Sequence, residues 1–262
     1  MSIDFFDENN RMTYAKRPVD HHWSEIMKQL VPIQGKRVAD IGCGGGIYSK
    51  QLVAMGAASV IAIDFSEEML KGAAQNGLDT DKIKLHQGRA QETGLENSIV
   101  DVILERALIH HLNYSELFSS AKEAYRLLTS GGGLLIQDRT PEDCLIKGSP
   151  EHIRGYIFEK YPELAQKEIA RRHDSRTVTQ ILEQSGFIDI KQRSFWEVRN
   201  VYPTFKELED NLLQRVGRSI LYELEDQQLK HLVSFIKAEI QKGDEQPIIE
   251  KDRWTVWVAK KA

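Results

Sequence analysis

The sequence has few cysteines and no long hydrophobic run. Its two cysteines, Cys43 and Cys144, show neither metal-ligand spacing nor a disulfide framework. No stretch approaches the ~18 consecutive apolar residues that a membrane span requires. The acidic residues 1–7 lack the apolar core of a signal peptide. We therefore expect a cytoplasmic protein with no membrane span and no metal site.

An excess of basic residues is also lacking, since the net charge at pH 7 is -4. Proteins that bind nucleic acid usually carry a basic patch that neutralises phosphates. The densest basic stretch, residues 167–173, includes Glu168 and is typical of a solvated helix face. His152 and His173 are likewise predicted to be surface residues of helices. Nucleic acid is therefore a disfavoured partner.

The composition fits one enlarged α/β domain, because 41% of the 262 residues are hydrophobic and 28% are charged. There is no internal repeat and no low-complexity segment. We predict a single domain, residues 1–262. Its core comprises about 32–140 with 176–200 and 253–260, and its helical lid insertions comprise about 141–173 and 204–242.

The first half of the chain alternates short apolar runs with amphipathic stretches. Strands are predicted at 36–41, 59–64, 82–86, 99–104 and 134–136. Ser66 is predicted to cap the helix after the second strand, and Asn113 with Glu116 forms a capping box before another helix. Buried strands that alternate with helices predict a parallel, doubly wound sheet.

The second half of the chain is mostly helical. Ser149-Pro150 is predicted to begin one helix, and Pro162 interrupts the helical stretch. Thr204 and Glu207 form a second predicted capping box. The remaining predicted elements are a helix over 176–184 that ends at Gly186, a strand over 187–198, a helix over 229–240 and a strand over 253–259.

The most informative stretch, residues 38–46, has glycines at 42, 44 and 46 after a buried strand. Glycine suits a turn in which the backbone takes positive φ or approaches a ligand closely. A carboxylate, Asp64, ends the next predicted strand and suits two ribose hydroxyls. The dinucleotide fingerprint requires glycine where this chain has Ile47, and the Walker pattern is absent. A loop against the uncharged part of a nucleoside is therefore favoured over one that binds pyrophosphate.

Residues 38–46 resemble the first motif of class I S-adenosylmethionine-dependent methyltransferases. Residues 63–70 resemble the acidic second motif with its helix. Residues 101–112 resemble the fourth-strand motif in the form seen in the ubiquinone and menaquinone biosynthesis type. Residues 127–136 resemble the last motif, a helix end, a glycine turn and a strand. The resemblance covers roughly residues 36–140 and implies a Rossmann-like, mostly parallel seven-stranded sheet.

The resemblance also implies which residues hold S-adenosylmethionine. This chain has Arg89 where the family often has an acidic residue, so only a backbone contact from Ala90 to the adenine edge is expected. The implied set is Asp40, Gly42 and Gly44 at the methionine portion, Cys43 in the same loop, Asp64 at the ribose, Phe65, Met69, Arg89 and Ala90 around the adenine, the Arg106 backbone at the methionine amino group, and Tyr14 with Arg17 closing over the cofactor.

The expected reaction is methyl transfer to a small-molecule acceptor by in-line displacement. Such a transfer depends on alignment and needs a base only for a weakly acidic acceptor. The candidates for a catalytic role are His110, His111 and Arg139. The alternatives are an RNA or protein methyltransferase, a nicotinamide-cofactor oxidoreductase and a non-catalytic cofactor-binding module. The oligomeric state is expected to be a monomer or a homodimer.

Overall fold

The computed structural model describes residues 21–240 and 247–262, which form two compact units. One unit, here called the sheet unit, has the described residues 21–138, 173–194 and 255–262. The second, here called the helical unit, comprises 139–172, 195–240 and 247–254. The predicted contacts of Tyr14 and Arg17 lie outside the described residues.

The sheet has seven strands in the order β3-β2-β1-β4-β5-β7-β6. The strands are β1 (Arg37–Ile41), β2 (Ser59–Asp64), β3 (Ile83–Gln87), β4 (Val100–Arg106), β5 (Leu128–Asp138), β6 (Phe187–Tyr202) and β7 (Ile248–Lys261). The pairings among β1 to β5 are parallel, whereas β7 runs antiparallel to β5. The predicted fold class, a mostly parallel doubly wound sheet, is confirmed.

Ten α-helices lie within the described residues: α1 (His21–Leu30), α2 (Ile47–Ala54), α3 (Glu67–Gln75), α4 (Tyr114–Leu127), α5 (Pro141–Cys144), α6 (Ile153–Lys160), α7 (Pro162–Ala170), α8 (Ser175–Ser185), α9 (Phe205–Leu213) and α10 (Asp226–Ile240). None of these described helices is long and apolar enough to cross a bilayer.

The sheet unit has its own apolar core, because its central strands are buried on both faces. Ile41, Ile103 and Ile136 on three adjacent strands pack with Leu117 of α4 and Ile181 of α8 in one cluster. Each of these side chains is at most 2% exposed. Parallel strands covered by helices on both faces require such continuous apolar runs.

Two helix starts in the sheet unit follow the sequence predictions. The Ser66 side chain accepts a hydrogen bond from the Met69 N–H (3.3 Å) and caps α3. Asn113 Oδ1 accepts from the Glu116 N–H (3.0 Å), while Glu116 Oε2 accepts from the Asn113 N–H (2.8 Å). The predicted capping box before α4 is therefore confirmed.

Two boundary predictions are wrong because bulges and turns are invisible to periodicity. The glycines at 131–133 lie inside β5, where the register shifts between the pairs Val100–Leu128 and Val102–Gly133. Pro150 does not begin a helix. It lies in a turn that the His152 N–H closes onto the Ser149 carbonyl (2.9 Å), and α6 begins at Ile153.

The helical unit has a separate core built from α5–α7, α9 and α10, in which Leu164, Leu212 and Leu232 are fully buried. The second predicted capping box is wrong, because the Thr204 side chain makes no capping hydrogen bond at the start of α9. The four-residue pattern fixes the spacing of the two side chains but not the rotamer that either one adopts.

The prediction of a solvated face at residues 167–173 is wrong at Glu168 and Arg172, whereas Lys167 is exposed. Glu168 is fully buried and Arg172 is 8% exposed, because the carboxylate of Glu168 draws Arg171 and Arg172 onto itself. His152 is also buried. His173 lies just before α8 rather than on a helix, and its Nε2 is 2.8 Å from the Leu112 carbonyl oxygen.

Candidate active site

The glycine loop between β1 and α2 depends on backbone conformations that favour glycine. Gly42, Gly44 and Gly46 have φ of 75°, 52° and 75°. Gly46 is the N-cap residue of α2, and a Cβ built there would lie 1.9 Å from Cδ2 of Leu78. The predicted glycine turn is therefore present, and Gly46 is fixed both by its φ and by close packing.

Asp64, at the carboxyl end of β2, ties this loop to the neighbouring strand. Its Oδ2 accepts a hydrogen bond from the Gly44 N–H and its Oδ1 accepts one from the Ser66 N–H, both at 2.9 Å. The Gly42 N–H donates to the Ile63 carbonyl at 2.8 Å. Burial raises the pKa of Asp64, whereas the N–H groups of Ser66 and Gly44 oppose that shift.

Asp40, at the end of β1, is 2% exposed and accepts a hydrogen bond from Ser49 Oγ at 2.5 Å. Burial raises the pKa of Asp40 to about 6, with Ser49 and Arg106 opposing the shift. The Arg106 guanidinium lies 4.0 Å from the ring centroid of Tyr48. The sequence predicted a role for the Arg106 backbone only, so its side chain contributes a positive charge that was missed.

Two aromatic residues, Tyr48 and Trp23, were also missed. Tyr48 on α2 packs edge-on against Trp23 of α1, with 4.9 Å between ring centroids. The indole Nε1 of Trp23 donates to Gln137 Oε1 of β5 at 2.7 Å. Nothing in the local sequence signals this group, because its members come from three separate elements.

The residues predicted around the adenine fall into two groups. Phe65 is 37% exposed, and the exposed Arg89 places its guanidinium 5.9 Å from the Phe65 ring centroid. Met69 and Ala90 are instead buried, at 5% and 7%. The Met69 methyl lies 3.3 Å from where a Cβ on Gly44 would stand, so Met69 supports the loop from below.

Cys43 lies in the loop but its thiol has no reactive character. The side chain is buried, and its N–H donates to the Ile63 carbonyl at 2.9 Å. Burial raises the pKa of the Cys43 thiol well above its usual value, and Asp40 and Asp64 raise it further. A thiol held protonated is a poor nucleophile.

A histidine–aspartate pair lies at the carboxyl ends of β4 and β5. His110 Nδ1 is 2.9 Å from Oδ2 and 3.2 Å from Oδ1 of Asp138, whose side chain is fully buried. The His110 N–H also donates to Asp138 Oδ2 at 3.3 Å. An ionised carboxylate only accepts hydrogen bonds, so Nδ1 carries the proton and Nε2 is the basic nitrogen.

The other two catalytic candidates lie in different surroundings. The exposed His111 ring is tilted against His110, with 3.9 Å between centroids, and makes no described contact with Asp138. Arg139 belongs to the helical unit, where its guanidinium donates to Asp252 Oδ2 at 2.7 Å and lies 3.8 Å from the Trp254 ring.

Glu105 of β4 is a buried acid that the sequence prediction overlooked, because it follows the apolar run of residues 102–104. Its Oε1 accepts from Ser120 Oγ of α4 at 3.0 Å. Burial raises the pKa of Glu105 to about 7, with Ser120 opposing the shift. Across the described residues, no cluster of three or more His, Cys, Asp or Glu side chains has the arrangement of a metal site.

Residues 39–136, which carry the glycine loop and the strands around it, match the family described as methyltransferase domain. This segment of the chain is therefore similar to methyltransferase domains. Ubiquinone biosynthesis O-methyltransferase of Agrobacterium fabrum is 32% identical over 112 residues, or 41% of this chain and 43% of that protein. The protein of the same name from Parvibaculum lavamentivorans is 30% identical over 130 residues, 48% of this chain and 49% of that one. This chain thus matches about half the length of these relatives.

Solved methyltransferase structures share the fold over nearly the whole chain. A protein from an antibiotic biosynthesis pathway of Anabaena variabilis superposes with a TM-score of 0.71 at 19% identity, covering 92% of this chain and 98% of that one. Phosphoethanolamine N-methyltransferase 2 of Haemonchus contortus, in complex with S-adenosyl-L-methionine, gives 0.61 at 20% identity, covering 99% and 60%. The methyltransferase fold therefore extends beyond the matched segment.

Proposed function

We propose that this chain is an S-adenosylmethionine-dependent methyltransferase that acts on a small-molecule acceptor in the cytoplasm. The observation that carries the proposal is the hydrogen bond from the Gly44 N–H to Asp64, which joins the positive-φ loop to an acid at the carboxyl edge of the sheet. Ligands of open α/β sheets bind at that edge.

The residues at this edge suit S-adenosylmethionine. An ionised carboxylate offers about four acceptor positions, and the two hydrogen bonds from Gly44 and Ser66 use one on each oxygen of Asp64. Both oxygens can therefore also accept a ribose hydroxyl. Phe65, directly after Asp64, presents a partly exposed ring to an adenine. Asp40 supplies a negative charge for the amino group of the methionine portion.

The bound cofactor would supply an electrophilic methyl group on a sulfonium. The chain's own contribution is to hold that group in line with the acceptor and to accept the acceptor's proton. We assign the second task to His110, because Asp138 fixes its tautomer and orientation as in other histidine–aspartate pairs. A base is needed when the acceptor is a hydroxyl, which agrees with the O-methyltransferase names of the relatives.

We assign acceptor binding to the helical unit, which contains most of the two predicted lid insertions. Its core is separate from that of the sheet unit, and it lies outside the segment that matches the methyltransferase family. A family whose members share a cofactor but differ in acceptor is expected to place acceptor contacts outside the shared domain.

Calorimetric titration with S-adenosylhomocysteine, with NAD as the comparison ligand, tests the cofactor assignment. We expect micromolar affinity for the first ligand and no binding of the second. Asp64→Asn should weaken S-adenosylhomocysteine binding about 10- to 100-fold, since it removes a charged acceptor. The exposed Asp81→Asn is the matched control and should change nothing. Absence of S-adenosylhomocysteine binding to the folded wild type would overturn the proposal.

Turnover tests the assignment of His110. Once an acceptor is found, His110→Gln should lower kcat by about 10²- to 10⁴-fold and remove the acidic limb of its pH profile. His111→Gln is the neighbouring comparison and should keep both. Equal losses in the two variants would show that the pair of rings, rather than the base at His110, matters to the reaction.

A further inference from the structure

The helical unit buries an unusual set of arginines. Five of them are at most 8% exposed: Arg139, Arg154, Arg172, Arg199 and Arg218. Arginine is rarely buried unless it is paired, because removing its charge from water is costly. Such a concentration in one small core calls for a functional explanation as well as a structural one.

Three of these arginines converge on two carboxylates. The Arg139 guanidinium donates to Asp252 Oδ2 at 2.7 Å, and Arg154 Nε donates to Asp252 Oδ1 at 3.1 Å. Arg154 also lies 3.7 Å from Glu168 Oε1, which accepts from Arg172 at 2.5 Å. The three guanidinium groups are therefore close enough to act on one another.

The repulsion among these guanidinium groups affects the pKa of Arg139. Burial lowers the pKa of Arg139 to about 10, and the neighbouring Arg154 and Arg172 contribute to that decrease against the opposing effect of Asp252. A further negative charge brought to these three guanidinium groups would relieve the repulsion. The shape of a guanidinium group also suits an oxyanion, because its planar arrangement of N–H donors matches two oxygens of a carboxylate or phosphate.

His152 supplies an acceptor in the same core. Its side chain is 2% exposed, and its Nδ1 donates to the Lys147 carbonyl at 3.1 Å. Nε2 is then the unprotonated nitrogen, and it has no hydrogen-bond partner. The charges of Asp252, Arg154 and Arg139 all act on this ring. A buried acceptor without a donor is costly to leave unsatisfied, so the site suits a ligand that brings a hydroxyl or acidic hydrogen.

We propose that the helical unit binds an oxyanion, a carboxylate or phosphate group of the methyl acceptor, through Arg139, Arg154 and Arg172, while His152 Nε2 accepts a hydrogen bond from the same molecule. The inference rests on the proposed function for the identity of the ligand as an acceptor. It goes beyond that function by naming the acceptor as an acidic small molecule.

Calorimetric titration of the full chain with three simple anions at constant ionic strength tests the site. Phosphate carries a P–OH hydrogen at pH 7, whereas sulfate has the same shape without one, and acetate represents carboxylates. We expect phosphate to bind at least fivefold more tightly than sulfate. The affinity of acetate relative to sulfate then separates a carboxylate site from a phosphate site.

Two variants make the test specific. His152→Asn keeps a donor for the Lys147 carbonyl but deletes Nε2, so phosphate and sulfate should bind within twofold of each other. Arg172→Lys keeps the charge but removes the fork and should weaken phosphate at least tenfold. Arg126→Lys, which alters a surface arginine of the sheet unit, is the matched control.

The outcomes separate this inference from the proposed function. If S-adenosylhomocysteine binds but no anion does, the oxyanion site is wrong and the methyltransferase assignment stands. If phosphate binds with the expected preference over sulfate but S-adenosylhomocysteine does not bind, the oxyanion site stands and the methyltransferase assignment is wrong. If Arg172→Lys fails to fold, the loss of the preference for phosphate over sulfate in His152→Asn decides the matter. A preference unchanged in that variant would overturn the role of His152.

Discussion

The sheet unit and the helical unit bury their charged groups in opposite ways. In the sheet unit, Asp40 and Asp64 lie at strand ends, where a hydroxyl and backbone N–H groups are their hydrogen-bond donors. In the helical unit, Glu168 and Asp252 are surrounded by guanidinium groups. The acids of the sheet unit can therefore accept hydrogen bonds from a ligand. The guanidinium groups of the helical unit are suited to bind a negatively charged ligand.

The same contrast appears in the pKa values of buried acids. Burial raises the pKa of Asp40 to about 6 and that of Glu105 to about 7, because no nearby cation fully compensates it. Burial acts on Glu168 and Glu250 too, but the arginines around each acid together outweigh it and lower both pKa values. Charge pairing therefore stabilises the helical unit near neutral pH, whereas burial of acids costs stability in the sheet unit.

The largest effect is expected from a variant that breaks the buried ion pairs of the helical unit. Glu168→Gln removes the carboxylate that Arg154 and Arg172 share, so the buried Arg172 loses this carboxylate and Arg154 retains Asp252. We expect the free energy of unfolding to fall by about 3–5 kcal/mol, as measured by urea denaturation. The exposed Glu163→Gln on the same helix is the control. A decrease in the free energy of unfolding below about 1 kcal/mol would mean that water reaches the arginines around Glu168.

A second variant targets the glycine loop of the sheet unit. Gly46→Ala places a Cβ against Leu78 at a φ of 75°. Backbone strain and overpacking therefore both destabilise this variant. We expect a loss of about 2–4 kcal/mol in urea denaturation, together with weaker S-adenosylhomocysteine binding. Gly77→Ala has a φ of 70° but no atom within 4 Å of the new Cβ. It should cost only about 1–2 kcal/mol, and equal costs for the two variants would contradict the packing argument.

The pH dependence of stability sharpens the contrast between the units. Because the folded pKa of Glu105 is about 7 and its usual value is 4.5, its contribution to stability is greatest below about pH 4.5. That contribution is lost as the pH rises to about 7. Glu105→Gln, which keeps an acceptor for Ser120, should therefore stabilise the protein above pH 7 by up to about 3 kcal/mol. Urea midpoints between pH 4.5 and 8 measure this, and a parallel offset at every pH would refute it.

The smallest expected effect compares the two predicted capping boxes. Asn113→Ala removes a formed cap and should cost about 1 kcal/mol. Thr204→Ala removes a side chain that makes no capping hydrogen bond, so it should cost less than about 0.5 kcal/mol. Thermal unfolding of both variants gives the comparison. A cost at Thr204 equal to that at Asn113 would show that both caps form in solution.

Sequence reasoning reached furthest where function depends on local backbone geometry. The strand, glycine loop and acid of residues 38–64 were predictable, because positive φ requires glycine and a buried strand requires an apolar run. The Asn113 cap was predictable for the same reason, since all its partners lie within four residues. Thr204 shows the limit of this reasoning, because the same spacing formed no cap.

Long-range packing decided the rest. The pairing of His110 with Asp138 joins residues 28 positions apart, and the charge of Arg106 acts on Asp40 from a separate strand. The burial of Glu168 with its arginines reverses an expected solvent exposure. Composition and periodicity carry no information on such partners, because the free energy of a buried charge depends on which distant side chain lies beside it. The sequence by itself determined an α/β core with a glycine loop, and only the tertiary structure decided which buried charges face one another.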